Sequence, residues 1–281
     1  MKMQNLRKYG APPYSIAVIH GGPGAPGSMA PVARELSAEY GTRTDAENRA
    51  LQKTASPGWG VLEPLQTAVS LEGQLQELHD VLADHGDPPA TLIGSSWGAM
   101  LSYIFAAHHP ALVKKLILVG SGGYEDRYAA PVMETRLSRL SEEEKNELET
   151  LIKTLNDPAA EDKNAALSRL GQLFTTRTDT YNAFTFDTEV LEVRYDIHQR
   201  VWDDASRLRQ SGELLELGKR IRCPVVAIHG DHDPHPAAGV RNLSAVLADF
   251  EFILLKNCGH YPWMEREARN AFFEILRREL G

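Results

Sequence analysis

Ser96 lies at the centre of Gly94-Ser95-Ser96-Trp97-Gly98, between an apolar run, Ala90-Thr91-Leu92-Ile93, and a helix-like stretch from Ala99 to Ala107. A serine hydroxyl is a poor nucleophile until a base accepts its proton and a third group orients that base. Two later segments carry the residue types this needs. His260, in Cys258-Gly259-His260-Tyr261-Pro262, is the candidate base; Asp233 or Asp231, in Asp231-His232-Asp233-Pro234, is the candidate acid. Together they specify attack of Ser96 on a carbonyl carbon, return of the proton by His260 to the leaving group, and release of the acyl group to water.

Residues this far apart in sequence meet only if the fold brings them to one edge, and each is preceded by a segment that reads as a strand. Gly-x-Ser-x-Gly between a strand and a helix is the pattern of a tight turn that leaves the serine oxygen exposed, the flanking glycines letting the backbone pivot. Pro224-Val225-Val226-Ala227-Ile228-His229-Gly230 delivers the acidic pair, and Phe252-Ile253-Leu254-Leu255-Lys256-Asn257 delivers the histidine, with Pro262 placed to open the final helix. Upstream, Ser15-Ile16-Ala17-Val18-Ile19 runs into His20-Gly21-Gly22-Pro23-Gly24, a glycine-rich corner able to aim backbone N–H groups at a point.

The chain order of nucleophile, acid and base is that of the α/β-hydrolases. The chain resembles an α/β-hydrolase-fold protein, and its His20-Gly21-Gly22-Pro23-Gly24 loop with Gly94-Ser95-Ser96-Trp97-Gly98 resembles the prolyl iminopeptidase branch. The resemblance covers about Ser15 to Val119 and Cys223 to the end. It implies an α/β architecture: a mostly parallel central sheet flanked by helices, with an inserted helical cap. It also implies a Ser-His-Asp hydrolase, with the acid three residues after the glycine that closes its strand. That glycine is Gly230, so the acid is Asp233 and Asp231 is the fallback. The oxyanion-hole donors it implies are the N–H of Trp97 and one from the glycine loop, assigned to Gly22. Dehalogenases and epoxide hydrolases of this fold are disfavoured, because a carboxylate would stand where Ser96 does.

The resemblance has gaps. Where an Asp-x-Arg-Gly-x-Gly segment is common, this chain has Val61-Leu62-Glu63-Pro64-Leu65-Gln66-Thr67, preceded by a polar stretch, Gly41 to Gly60, that carries Ser56-Pro57-Gly58-Trp59-Gly60 and reads as a loop. No acidic motif for a substrate amino terminus aligns among Glu189, Glu192, Asp196, Asp203 and Asp204.

The core reads as residues 1–121 and 223–281, and the cap as 122–222, inserted after the sixth core strand, Leu116-Ile117-Leu118-Val119. Ser141-Glu142-Glu143-Glu144 is a capping box that opens a helix through Leu148, Leu151, Ile152 and Leu155, which Asn156-Asp157-Pro158 ends. Helical spacing resumes at Ala165, Leu167, Leu170 and Leu173-Phe174, and again through Leu208, Leu214, Leu215 and Leu217. A cap here would roof the site, and Tyr181, Phe184, Phe186, Tyr195 and Trp202 are its candidate lining.

Composition sets outer limits. A chain of 281 residues with 42% apolar content can bury a large core, and a net charge of −8 offers no basic footprint for nucleic acid. No apolar stretch approaches about 18 residues and the start lacks a signal-like apolar region, so a soluble cytoplasmic protein with no membrane partner is expected. Cys223 and Cys258, each beside a predicted strand, are expected as reduced thiols. The glycine loop lacks the Lys-Ser/Thr of a phosphate-binding loop, and no cofactor is expected. His229, His232 and His235 lie among Asp231 and Asp233 without the spacing of a helical His pair, so no metal is expected. His108-His109-Pro110 reads as a structural helix end, where histidines can interact with the helix dipole. The functions these features suggest are cleavage of a small ester, amide or short peptide, with prolyl aminopeptidase as the sharpest form. The alternatives are a ligand-binding protein on the same framework, or acyl transfer to an acceptor other than water. The partner expected is a small-molecule or short-peptide substrate, and oligomeric state is not legible.

Overall fold

Strand β2 (Ile16–Ile19) is apolar throughout because both of its faces are covered. Ile16 and Val18 pack into one hydrophobic cluster, and Ala17 and Ile19 into another on the opposite face. The same alternation divides Ile117 and Val119 from Leu116 and Leu118, and Val226 and Ile228 from Val225 and Ala227. Two-sided burial is the mark of a parallel sheet with helices on each side.

The computed structural model describes residues 5–38, 58–184 and 191–281. In chain order they form β1 (Leu6–Tyr9), β2, α1 (Ala30–Ser37), β3 (Val61–Pro64), α2 (Leu71–His85), β4 (Ala90–Ser95), α3 (Trp97–His108) and β5 (Val113–Val119). Five helices follow: α4 (Ala130–Arg139), α5 (Glu142–Asn156), α6 (Lys163–Arg177), α7 (Tyr195–Gln210) and α8 (Glu213–Glu216). The chain closes with β6 (Val225–Gly230), α9 (Ala238–Arg241), β7 (Phe250–Leu255) and α10 (Arg269–Leu280).

The strands join in the order β1-β3-β2-β4-β5-β6-β7, all parallel except β1, which is antiparallel to β3. Helices α2 and α3 cover one face, while α1 and α10 cover the other with Val32, Leu36, Phe272, Phe273 and Leu276, joined by Met29 just before α1. From β2 the chain steps outward to β3 and then back across to β4. The crevice between the carboxyl ends of β2 and β4 is therefore the topological switch point, where open α/β sheets bind ligands.

The α5 capping box is formed, with Ser141 and Glu144 bonding each other's backbone N–H, and Asp157 ends that helix. Several readings need adjustment. The strand before the helical insertion is the fifth among the described residues rather than the sixth. The spacing through Leu208 to Leu217 is broken at Gly212, whose left-handed backbone (φ +82°) separates α7 from α8. Pro262 opens only a short 3₁₀ turn, and the last helix begins at Arg269, because Glu265 is extended and bridged to Ala183. His108 and His109 do end α3, but burial with Arg220 nearby lowers the first, and burial with neighbouring His79 and His108 lowers the second. Residues 41–57 of the Gly41–Gly60 stretch lie outside the described residues, as do Phe186 and Glu189. Glu63 of β3 is buried, held by the Tyr9 hydroxyl at 2.7 Å and by Arg7 at 3.6 Å, both on β1.

Candidate active site

Ser96 is the residue on which the strand-to-helix turn pivots, with φ +53° and ψ −115°. A non-glycine residue there costs on the order of 1–3 kcal/mol and persists only where its surroundings enforce it. The enforcement is visible on both sides. The Ser96 N–H donates to Val119 O at 2.9 Å, and Ala99 N–H returns to Ser96 O at 3.1 Å. The flanking glycines are needed for space: a Cβ on Gly94 would strike the Gly98 carbonyl, and one on Gly98 would strike the Ile19 carbonyl. The elbow is thus wedged between β2 and β4, at the switch point.

Trp97 is the first residue of α3, so its N–H is one of the donors a helix cannot satisfy internally. Its buried ring donates Nε1–H to Gln74 Oε1 at 2.9 Å. The glycine loop lies against the elbow, because a Cβ on Gly21 would come 2.9 Å from Ser96 Cβ. Gly22 is left-handed (φ +62°), and its carbonyl accepts from Ala25 N–H at 2.9 Å. The His20 ring is fully buried between Gly21 O at 2.9 Å and Leu65 O at 3.1 Å, and burial lowers its pKa.

Asp233 and His260 meet. His260 Nδ1 lies 2.7 Å from Asp233 Oδ2 in a buried pair. The alternative acid, Asp231, instead accepts from Cys258 N–H at 3.2 Å and faces Lys256 at 3.7 Å, shaping the loop rather than touching the imidazole. Burial opposes charge on Asp233, yet the neighbouring His260, His229 and His235 hold its carboxyl well below the ordinary range. Burial alone would lower His260; the charge and hydrogen bond of Asp233, with Asp179 further off, outweigh it and raise the imidazole above 6.5. The pair sits beside the elbow: Ser96 bonds Val119, and a Cβ on the next residue, Gly120, would come 3.1 Å from His260 Nδ1. Among the described residues no hydrogen bond joins Ser96 Oγ to His260, a contact that commonly tightens only when substrate binds.

Four residues around this pair were not singled out as site residues. Asp179, buried, is gripped by Arg136 through two bonds (2.9 and 2.5 Å), and its carbonyl accepts from His260 N–H at 2.6 Å. Glu265, also buried, accepts from the N–H groups of Gly259, Tyr181 and Asn182, each at 2.8 Å. The segment 178–182 is thereby fixed against the histidine loop. The fourth, His235, bonds the other oxygen of Asp233 at 2.8 Å. Arginine, aspartate and glutamate in charged helical or loop sequence carry no local signal of such roles.

The helical insertion touches the other wall too. Arg194 N–H donates to Gly24 O at 2.7 Å, Leu191 N–H to Pro26 O at 3.0 Å, and His198 Nδ1 lies 3.3 Å from Pro23 O. Of the proposed aromatic lining, Trp202 reaches the elbow, edge-on to Trp97 with ring centroids 5.6 Å apart. Tyr181 is half exposed against His232, Phe184 stacks under Arg266, and Tyr195 bonds Leu155 O within the insertion. Asp196 pairs with Arg194 at 2.7 Å, and Asp204 accepts from Leu71 N–H and from Arg207. Glu192 and Asp203 are exposed.

Among the described residues Asp233, His235 and His260 present potential metal-ligand atoms within 4.8 Å of one another, but both imidazole Nδ1 atoms are spent on the carboxylate. Cys223 and Cys258 are free thiols, and burial pushes Cys223 up to about 11. No helix among the described residues is long and apolar enough to cross a membrane.

Comparison with known proteins supplies the decisive observation: the family described as "alpha/beta hydrolase fold" matches residues 15–267. The chain belongs to the α/β-hydrolase fold family. Within it, the chain is 24% identical over 213 residues to the monoacylglycerol lipase ABHD6 of Bos taurus, covering 72% of this chain and 59% of that one. This chain therefore spans about three-fifths of that relative's length. It is 26% identical over 243 residues to a 2-hydroxy-6-oxononadienedioate/2-hydroxy-6-oxononatrienedioate hydrolase of Cupriavidus pinatubonensis, covering 80% and 74% of the two chains. A proline iminopeptidase of Mycobacterium smegmatis superposes with a TM-score of 0.59 at 16% identity, covering 97% and 94%, a likeness of fold. Both of these sequence relatives are named as hydrolases.

Proposed function

We propose that this α/β-hydrolase is a serine hydrolase that cleaves a small ester through an acyl-enzyme on Ser96. His260 takes the serine proton and returns it to the leaving group, while Asp233 orients His260 and stabilises its cation. The N–H groups of Trp97 and Gly22 receive the developing oxyanion; loss of one such donor would cost on the order of 10²- to 10³-fold. The observation that carries this reading is the buried 2.7 Å His260–Asp233 contact beside a serine held in a strained elbow. Strain there has no structural purpose of its own and serves to present the oxygen.

The insertion 122–222 acts in this reading as a cap, bonded to the glycine loop on one side and to the histidine loop on the other. An ester is favoured over a peptide amine because, among the described residues, Asp196 and Asp204 are engaged by arginines and Glu192 and Asp203 face solvent, so these four form no enclosed acidic pair for an amino terminus. The relative named as a monoacylglycerol lipase supports including glycerol esters among the substrates tried.

The test compares wild type with Ser96→Ala on p-nitrophenyl esters, monoacylglycerols and aminoacyl-naphthylamides, including proline. Ester turnover that disappears with Ser96 supports the reading. Preference for the proline amide moves it to an aminopeptidase, transfer to an added alcohol moves it to an acyltransferase, and binding without Ser96-dependent turnover replaces it with a ligand-binding protein.

A further inference from the structure

Asp233 carries more than a triad acid needs. Its side chain is wholly buried, with Oδ2 on His260 Nδ1 at 2.7 Å. Oδ1 receives two bonds from one residue, the His235 backbone N–H at 2.9 Å and the His235 Nδ1 at 2.8 Å. An aspartate accepting from the N–H two residues on forms a local turn that fixes the backbone; here the same residue then adds its ring. The His235 ring also stacks on His260, with centroids 4.6 Å apart and planes 26° apart. Behind it, His229 Nε2 bonds the His235 carbonyl at 2.9 Å and lies 3.8 Å from Asp233 Oδ2.

We propose that His235 is a positioning residue for the His260–Asp233 pair: by holding Oδ1 it sets how strongly the carboxylate attracts a proton onto His260. The effect on turnover rests on the serine-hydrolase reading above; the proton affinity of His260 does not.

An ionised carboxylate only accepts, so both Nδ1 atoms facing Asp233 must carry hydrogens, and a neutral His235 is therefore the Nδ1–H tautomer. The charged and titratable groups that face it are Asp233, His260 and Arg136, with His229 on its carbonyl. Burial pushes His235 below the ordinary imidazole value, and His260 and Arg136 act in the same direction against Asp233. One carboxylate thus serves two imidazoles of which one, His260, takes the proton. A donor on Oδ1 draws negative charge away from Oδ2 and weakens its pull on the His260 proton. Without that donor the carboxylate concentrates on Oδ2, and a hydrogen bond to the charged form of a pair favours that form.

Two variants separate the donor from the ring's bulk. His235→Leu keeps much of the volume and removes the donor; His235→Asn places an amide N–H near the former Nδ1. The readouts are the pH dependence of Ser96 labelling by a fluorophosphonate probe, with Ser96→Ala as the blank, and the titration of the His260 ring by nitrogen-15 NMR. The expected result in His235→Leu is a rise of the acid limb and of the His260 titration by about half to one pH unit, with His235→Asn returning both to within about 0.3 unit. Equal shifts in the two variants, or no shift in His235→Leu, overturn the proposal. If His235→Leu does not fold, His235→Ala gives the same comparison. Absence of Ser96-dependent labelling in the wild type sinks the serine-hydrolase reading instead, and the NMR titration still decides the role of His235.

Discussion

Gly120, the residue after β5, is in a left-handed conformation (φ +53°) with the catalytic pair proposed above packed directly over it. A Cβ at this position would lie 2.5 Å from the His260 carbonyl oxygen, 3.1 Å from His260 Nδ1 and 3.4 Å from Asp233 Oδ2. To regain ordinary contact the His260 carbonyl must retreat by about 0.9 Å, and a displacement near 1 Å at a reacting group costs on the order of 10²-fold. Stability falls as well, by about 1–2 kcal/mol for left-handed backbone on an L-residue and about 1–3 kcal/mol for overpacking. The sum corresponds to a fall in Tm of about 4–10 °C. Gly120→Ala is thus expected to fold, to melt several degrees lower, and to lose roughly 100-fold in Ser96-dependent ester turnover or fluorophosphonate labelling. The control is Gly212→Ala, whose backbone is also left-handed (φ +82°) but whose Cβ would meet nothing within 4 Å. It carries the backbone cost alone, with unchanged activity. A Gly120→Ala protein that matches wild type in rate and Tm would refute the packing argument, and an equal activity loss in Gly212→Ala would refute its localisation.

Turnover is expected to need neutral His260, and because Asp233 raises this imidazole above 6.5, the acid limb of kcat/KM should lie above pH 6.5; a limb below that value contradicts the assignment. The same shift has the opposite sense for stability: the contribution of the His260 imidazole is complete below its unfolded value of 6.5 and is lost as pH rises through the folded one. His20 and His198, buried and lowered, behave in reverse, withdrawing stability as pH falls below 6.5, which urea titrations of wild type at pH 7 and pH 5 should register as a lower midpoint in acid. Arg136→Met strands the buried Asp179 carboxylate and should cost about 3–5 kcal/mol; adding Asp179→Asn should recover part of the lost Tm, and no recovery would mean that the ion pair is not what Arg136 contributes. Ser70 caps α2 by accepting from Gly73 N–H at 3.1 Å, so Ser70→Ala should lower stability by about 1 kcal/mol in urea without changing turnover.

The strands that carry the proposed site were legible because two-sided burial forces unbroken apolar runs, as in Ser15 to Ile19 and Pro224 to Gly230, and because glycine must flank an elbow whose neighbours press on the backbone. Those are local demands, and local demands leave local marks. Edge strand β1 left almost none: Leu6–Tyr9 has a single buried side chain, and among the described residues one of its sides has no neighbouring strand. The likeness to a family favoured Asp233 over Asp231, but only the tertiary structure brings Asp233 to 2.7 Å from His260 and turns Asp231 away. His235 drew notice as one of three clustered histidines with metal in mind; its bond to Asp233 and its stack on His260 depend on two loops from different strands. Arg136, Asp179 and Glu265 have ordinary sequence surroundings, and their roles arise from the folded chain: Arg136 meets the Asp179 carboxylate, while the Asp179 carbonyl and the Glu265 carboxylate accept from backbone N–H groups beside them. The sequence by itself determined the doubly buried strands, the elbow and the order of the proposed reacting residues, because each is imposed by burial or by steric need within a few neighbours. Tertiary structure decided the partners of those residues, because hydrogen bonding and charge act across distances in space that sequence separation does not measure.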